Sequence, residues 1–269
     1  MRGCVEIKGG MGNQLFQYAF GRSLEENNPG FSVSFDLSWF EKQSKRKFEL
    51  GAFNIHMKKH IGNCVFQQKK ENGYHYQPNL LSPTVDQKFI GYFQSEKYFL
   101  SIANKIRNEI SLVGEQPDPR PAAGAISIHV RRGDYVEPKI KKNHGIKDID
   151  YYKRALEMIL SKDRSINKVL IFHDTIQPGD MILSDIKALT KSKKMIVQFA
   201  NKQQSDAQEL ILMSKCHHHI LANSSFSWWG AWLNPNMKKI VVAPKIWFAV
   251  DAVREHNTKN QLPDGWLRV

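Results

Sequence analysis

The chain has 269 residues, of which 41% are hydrophobic and 11% aromatic, a composition that excludes a disordered polymer and allows a sizeable core. Lys and Arg number 39 against 26 Asp and Glu, a net charge of +13, so the partners to expect are anionic: nucleic acid, acidic lipid or a phosphorylated small molecule. No apolar run approaches the roughly 18 residues that would cross a bilayer.

Residues 4–8 alternate as a strand and run into Gly9-Gly-Met-Gly-Asn-Gln14, after which Leu15, Phe16, Ala19 and Phe20 recur at helical spacing. A glycine turn between a strand and a helix offers N–H donors and a partial positive charge to an anion or a sugar. It is not a P-loop, because no Gly-Lys-Ser/Thr follows, and Leu15 stands where a dinucleotide fingerprint needs its last glycine. A purely structural turn is the alternative. Residues 31–35 make a short strand, 39–85 read as irregular short helices and loops, 88–93 as a strand, and 95–110 as a helix with Tyr98, Ile102 and Ile106 inward.

Residues 114–124 carry Pro117, Pro119 and Pro121, a linker composition. Beyond it strands at 125–130, 168–173, 195–199, 218–222 and 239–243 alternate with helices at 151–160, 181–189, 206–214 and 225–233. That alternation implies a parallel sheet covered on both faces. The expectation is an α/β protein of two Rossmann-like halves, 1–116 and 122–269, facing across a ligand cleft.

The strand at 125–130 ends in His129-Val-Arg-Arg-Gly-Asp134, which delivers a cationic fork to the carboxyl edge of a sheet, where open α/β folds bind ligands. Arg131 and Arg132 are planar permanent donors suited to a diphosphate, and Gly133 permits close approach. Two surface charges are the plain alternative. An adhesion role for Arg132-Gly133-Asp134 fails for want of a secretion signal. Asp174, after the strand at 168–173, is placed to accept from a ribose or base, or to cap the next turn. Asn223, Ser224 and Ser225 open a helix and serve either as plain caps or as an anion site. Trp228, Trp229 and Trp232 read as core packing. Cys216-His-His-His219 invites a metal reading, but neighbours in a strand point to opposite faces. Cys4, Cys64 and Cys216 form neither a disulfide framework nor a zinc pattern, so a reducing, cytoplasmic setting is expected. The lysine pairs are dispersed, which favours a solvated surface; summed, they are compatible with peripheral contact with an anionic membrane.

Together these segments resemble glycosyltransferase family 11, the bacterial α1,2-fucosyltransferases. The matching blocks are Gly9-Gly-Met-Gly-Asn-Gln-Leu-Phe-Gln-Tyr-Ala19, Gly91-Tyr-Phe-Gln-Ser-Glu-Lys-Tyr-Phe99, His129-Val-Arg-Arg-Gly-Asp-Tyr135 and Ala222-Asn-Ser-Ser-Phe-Ser-Trp-Trp-Gly-Ala-Trp-Leu233, with Pro263-Asp-Gly-Trp266 closing. The resemblance implies a GT-B fold, GDP-β-L-fucose as donor, a galactose-terminated oligosaccharide or lipid-linked glycan as acceptor, inversion at the fucose anomeric carbon, and no cofactor or metal. It further implies that Arg131 binds the donor diphosphate and that Ser224 and Ser225 hold phosphate oxygens. Glu209 and Asp174 then belong to the nucleotide pocket, Asn13 faces the sugar beside Gly10 and Gly12, and His129 braces the pocket with Arg132 and Asn223 nearby. Family members often carry Ser-Asp-Asp where His173-Asp174-Thr175 stands, leaving one carboxylate here. Asp134 and His144 are the candidate general bases. The competing readings are a basic nucleic-acid-binding module, which explains neither the glycine turn nor the Asn223 helix start, and another sugar-nucleotide transferase of the same fold.

Overall fold

The structure is a computed structural model and describes residues 1–43, 45–62, 65–133, 145–249 and 257–269. The chain divides into two units: Met1–Glu115 with Asn257–Asp264, and Gln116–His256 with Gly265–Val269. The expected second half, 122–269, is therefore not contiguous. Residues 257–264 return to the first unit, where Asn260 O accepts from Ser95 Oγ at 2.7 Å and Gln261 Nε2 donates to Gln94 Oε1 at 2.6 Å. Backbone and amide bonds of this kind leave no periodic trace in a sequence.

The first unit is built on β1 (Arg2–Glu6), β2 (Ser32–Asp36), β3 (Gln67–Lys70) and β4 (Gln87–Ile90), all parallel in the order β2-β1-β4-β3. Helix α1 (Met11–Asn27) starts at the glycine turn and lays Leu15, Phe16, Ala19 and Phe20 into the core. Phe20 stacks on Phe93 with ring centroids 3.9 Å apart. Gly21 lets α1 close on β2, since a Cβ there would stand 2.5 Å from the Phe35 ring. Beyond a short helix α2 (Ser38–Glu41), the stretch read as irregular contains β3, whose Gln-Gln-Lys-Lys sequence has no strand signature; it is an edge strand defined by pairing with β4. The helix expected over 95–110 is broken into 3-10 turns at Glu96–Tyr98 and Leu100–Ile102 followed by α3 (Ala103–Glu109). Tyr98 and Ile106 are buried as expected, whereas Ile102 is half-buried.

The second unit runs β5 (Ala125–Val130), α4 (Ile149–Lys162), β6 (Lys168–His173), α5 (Ile182–Ser192), β7 (Ile196–Phe199), α6 (Asp206–Ser214), β8 (His218–Ile220), α7 (Ser225–Leu233), β9 (Val241–Ala243) and β10 (Leu267–Arg268). Its parallel sheet has the order β10-β9-β8-β5-β6-β7. Every residue of β5 is buried because helices cover both faces. Ile126, Ile128 and Val130 pack with Tyr152 and Leu156 of α4 and Ile186 of α5, while Ala125 shares the other face with Leu170, Phe172, Leu212 and Met213. The chain leaves β5 toward β6 and β7, then resumes on its other side with β8, β9 and β10. The loops therefore diverge at the carboxyl end of β5, which opens a crevice there. Two parallel α/β units in one chain are the makeup of the GT-B class. No helix among the described residues is long and apolar enough to cross a membrane.

Candidate functional site

At that crevice lies a cavity of about 560 Å³, lined by residues that include His129, Arg131, Asp174, Lys202, Glu209 and Phe226. Strand direction accounts for the assembly: Arg131 follows the end of β5, Asp174 the end of β6, the loop after β7 brings Lys202, and α6 and α7 contribute Glu209 and Phe226.

Arg131 is held in place by a carboxylate. Its Nε lies 3.1 Å from Asp174 Oδ2, and Asp174 Oδ1 accepts the Arg132 backbone N–H at 2.7 Å. Asp174 thus grips the turn that carries the guanidinium while also lining the cavity. Gly133 is required by the same carboxylate, because a Cβ there would sit 2.6 Å from Asp174 Oδ2. Arg132 turns away from the cavity: Nε bonds Asp180 Oδ2 at 2.7 Å and Nη2 donates to Lys147 O at 2.9 Å. Of the two arginines only Arg131 reaches the cavity wall.

His129 is buried behind Arg131, 5.7 Å from the Phe226 ring, and its Nδ1 has no hydrogen-bond partner among the described residues. Burial, reinforced by the Arg131 and Lys202 charges, pushes its pKa down to about 3, so the ring is neutral in ordinary buffers. Burial likewise lowers the pKa of His173, whose Nδ1 lies 2.7 Å from Asp174 O. Glu209 is shifted upward by desolvation, partly countered by Lys202 with Nζ 3.5 Å away. Lys202 also donates to His173 O.

The remaining sites read from sequence fall elsewhere. Ser224 caps α7 by accepting the Phe226 N–H at 3.3 Å, and neither Ser224 nor Ser225 lines the cavity. Asn223 is buried and donates to Trp247 O at 3.0 Å. Asn13, in the first turn of α1, accepts from Gln94 Nε2 at 2.7 Å; Gly10 caps that helix and Gly12 is buried within it. All three belong to the first unit. Asp134 and His144 lie outside the described residues. Sequence reading passed over Lys202, Gln204 and Phe226; the carboxyl-edge rule, extended to the strand at 195–199, points to the first two.

The histidine cluster also resolves. Asp163, His217 and His218 bring ligand atoms within 4.8 Å of one another. His218 Nδ1, however, accepts the Ile240 N–H at 3.0 Å, which leaves the ring proton on Nε2, 3.1 Å from Asp163. Binding a metal through Nε2 would require an imidazolate, so the cluster is a hydrogen-bonded strut. His219 is buried between Ser127 Oγ at 2.8 Å and Asn234 Nδ2 at 2.7 Å.

The family model described as "Glycosyl transferase family 11" matches residues 81–268. The chain is 30% identical over 303 residues to an alpha-1,2-colitosyltransferase of Escherichia coli, covering 98% of each protein. It is 27% identical over 319 residues to the O-antigen biosynthesis glycosyltransferase WbnK of Escherichia coli, covering 98% of this chain and 99% of that one. A galactoside 2-alpha-L-fucosyltransferase, Sec1 of Mus musculus, is 22% identical over 85% of this chain and 63% of its own length. The chain belongs to glycosyl transferase family 11, as its motifs implied.

Proposed function

We propose that this glycosyltransferase moves L-fucose from GDP-β-L-fucose to the 2-hydroxyl of a galactose-type acceptor during O-antigen or related glycan synthesis. The observation that carries the reading is Arg131, held by Asp174 in the wall of a cavity where the strand order of the parallel sheet reverses. In the reaction the acceptor oxygen bonds to the anomeric carbon from the face opposite GDP. The bond from that carbon to the β-phosphate oxygen breaks, its electron pair leaves with GDP, and the hydroxyl proton passes to a base or to water. Arg131 neutralises the charge growing on the departing diphosphate, helped by the nearby Lys202, and a preorganised cation of this kind supplies a large share of transition-state stabilisation. Glu209, which lines the same cavity, faces the guanine. Asp134 and His144 are the base candidates. With cations supplied by the chain, turnover is metal-independent and persists in chelator. The work is done in the cytoplasm on a lipid-linked or free oligosaccharide, with the +13 charge aiding contact with an anionic membrane.

The 30% identity to an alpha-1,2-colitosyltransferase favours one second reading, in which the donor sugar is GDP-colitose. Incubating the enzyme with each GDP sugar and a panel of galactose-terminated oligosaccharides, then determining the product linkage, tests both. An α1,2-fucosyl product supports the proposal; a colitosyl product alone selects the second reading, and no transfer from either donor overturns both.

A further inference from the structure

Gln204 and Glu209 line the same cavity, Gln204 from the loop after β7 and Glu209 from the first turn of α6. The loop is fixed at both ends. Gln204 N–H donates to Asn201 O at 3.2 Å, and Ser205 caps α6 in a reciprocal box with Gln208. Within it the side-chain carbonyl of Gln204 is buried with no hydrogen-bond partner among the described residues. A buried acceptor without a donor is costly, and such groups mark places where a ligand completes the bonding. The terminal amide torsion of Gln is broad and soft, so a small rotation turns this oxygen to a ligand in the cavity.

Two acceptors on one wall select a ligand edge that presents adjacent donors. Guanine has N1–H beside a 2-amino group with two hydrogens. Adenine and cytosine set an amino group beside a bare ring nitrogen, and uracil flanks its N3–H with carbonyls. A carboxylate that pairs with N1–H and one amino hydrogen leaves the second amino hydrogen for another acceptor. We propose that Gln204 is a specificity-determining residue that reads the second hydrogen of the guanine 2-amino group while Glu209 takes the other two donors. This rests on the GDP-sugar reading above.

Calorimetric titration of the full chain with GDP, IDP, ADP and UDP tests it, since IDP differs from GDP only in lacking the 2-amino group. Gln204→Leu should weaken GDP about tenfold and leave IDP unchanged, the loss of one buried hydrogen bond. Gln204→Glu, which keeps an acceptor, should retain the preference for GDP over IDP. If Gln204→Leu weakens GDP and IDP equally, or neither, Gln204 does not read the amino group. If the unaltered chain binds GDP and IDP alike, the proposal fails without recourse to any variant. A stronger response to ADP or UDP than to GDP would overturn the guanine-nucleotide reading itself, a result distinct from an unchanged GDP-to-IDP ratio in Gln204→Leu.

Discussion

Arg131 can be exchanged for lysine at constant charge, which separates the value of a planar fork from that of a cation. Lysine offers a compact ammonium that neither pairs laterally with Asp174 nor spans two phosphate oxygens. Arg131→Lys should therefore lower kcat by roughly 10²-fold or more, measured as transfer from GDP-fucose, with the folded state intact by circular dichroism. Asp174→Asn is the complementary change. It can still accept the Arg132 N–H, but if its amide donors face the guanidinium the clamp becomes a repulsion. The expected outcome is a kcat about tenfold lower or worse through misplacement of Arg131, read in the same assay. Arg131 was legible in the sequence because a β-branched strand ending in a charged cluster points to a sheet edge. The division of labour between the arginines was not: which one reaches the cavity depends on Asp180 and the Lys147 carbonyl, distant in sequence. Ser224 and Asn223 were equally ambiguous, since the residues that cap a helix are also those that bind an anion.

At the level of elements, the second unit was nearly complete in the sequence because buried parallel strands are continuous apolar runs and their crossover helices are amphipathic. The strands at Ala125–Val130 and Lys168–His173 and the helices at Asp206–Ser214 and Ser225–Leu233 fall where periodicity puts them. The missed strands share one cause, namely that β3 and β10 are short edge strands made by pairing, with no apolar alternation of their own. The helix expected over 95–110 breaks because Ser95 caps a new 3-10 turn just after Phe93 adopts φ 52°. Helices α6 and α7 pack closely enough for one methyl to matter. A Cβ at Gly230 would lie 2.4 Å from Met213 Sδ and 2.8 Å from its Cγ. Gly230→Ala should cost about 1–3 kcal/mol despite alanine's better helix propensity. Chemical denaturation followed by tryptophan fluorescence would show it, because Trp228, Trp229 and Trp232 sit on that same helix; an unchanged midpoint would mean that α6 yields without cost.

Over the whole molecule, the excess of positive charge is set against histidines that folding keeps neutral. His129 and His219 are both fully buried in the second unit, and burial, aided by nearby cations, depresses each pKa to about 3 from an ordinary 6.5. Unfolding restores the ordinary value, so between these limits the unfolded chain binds protons that the native chain does not. The stabilisation from keeping both rings neutral is fully present above pH 6.5 and is lost as the pH falls toward 3. Stability should thus decline on acidification before most carboxylates titrate, with about two protons taken up on unfolding near pH 5 from this pair alone. His219 is the cleaner probe, since it bridges Ser127 and Asn234 away from the donor cavity. His219→Gln keeps a hydrogen-bonding side chain there but removes the titration. Five of the six tryptophans, all but Trp39, lie in the second unit, so fluorescence-detected urea unfolding between pH 4.5 and 7.5 reports on it. The variant should be less stable at neutral pH yet lose stability less steeply on acidification, by about one proton in slope. Parallel slopes for the two proteins would show that His219 is already protonated in the folded chain.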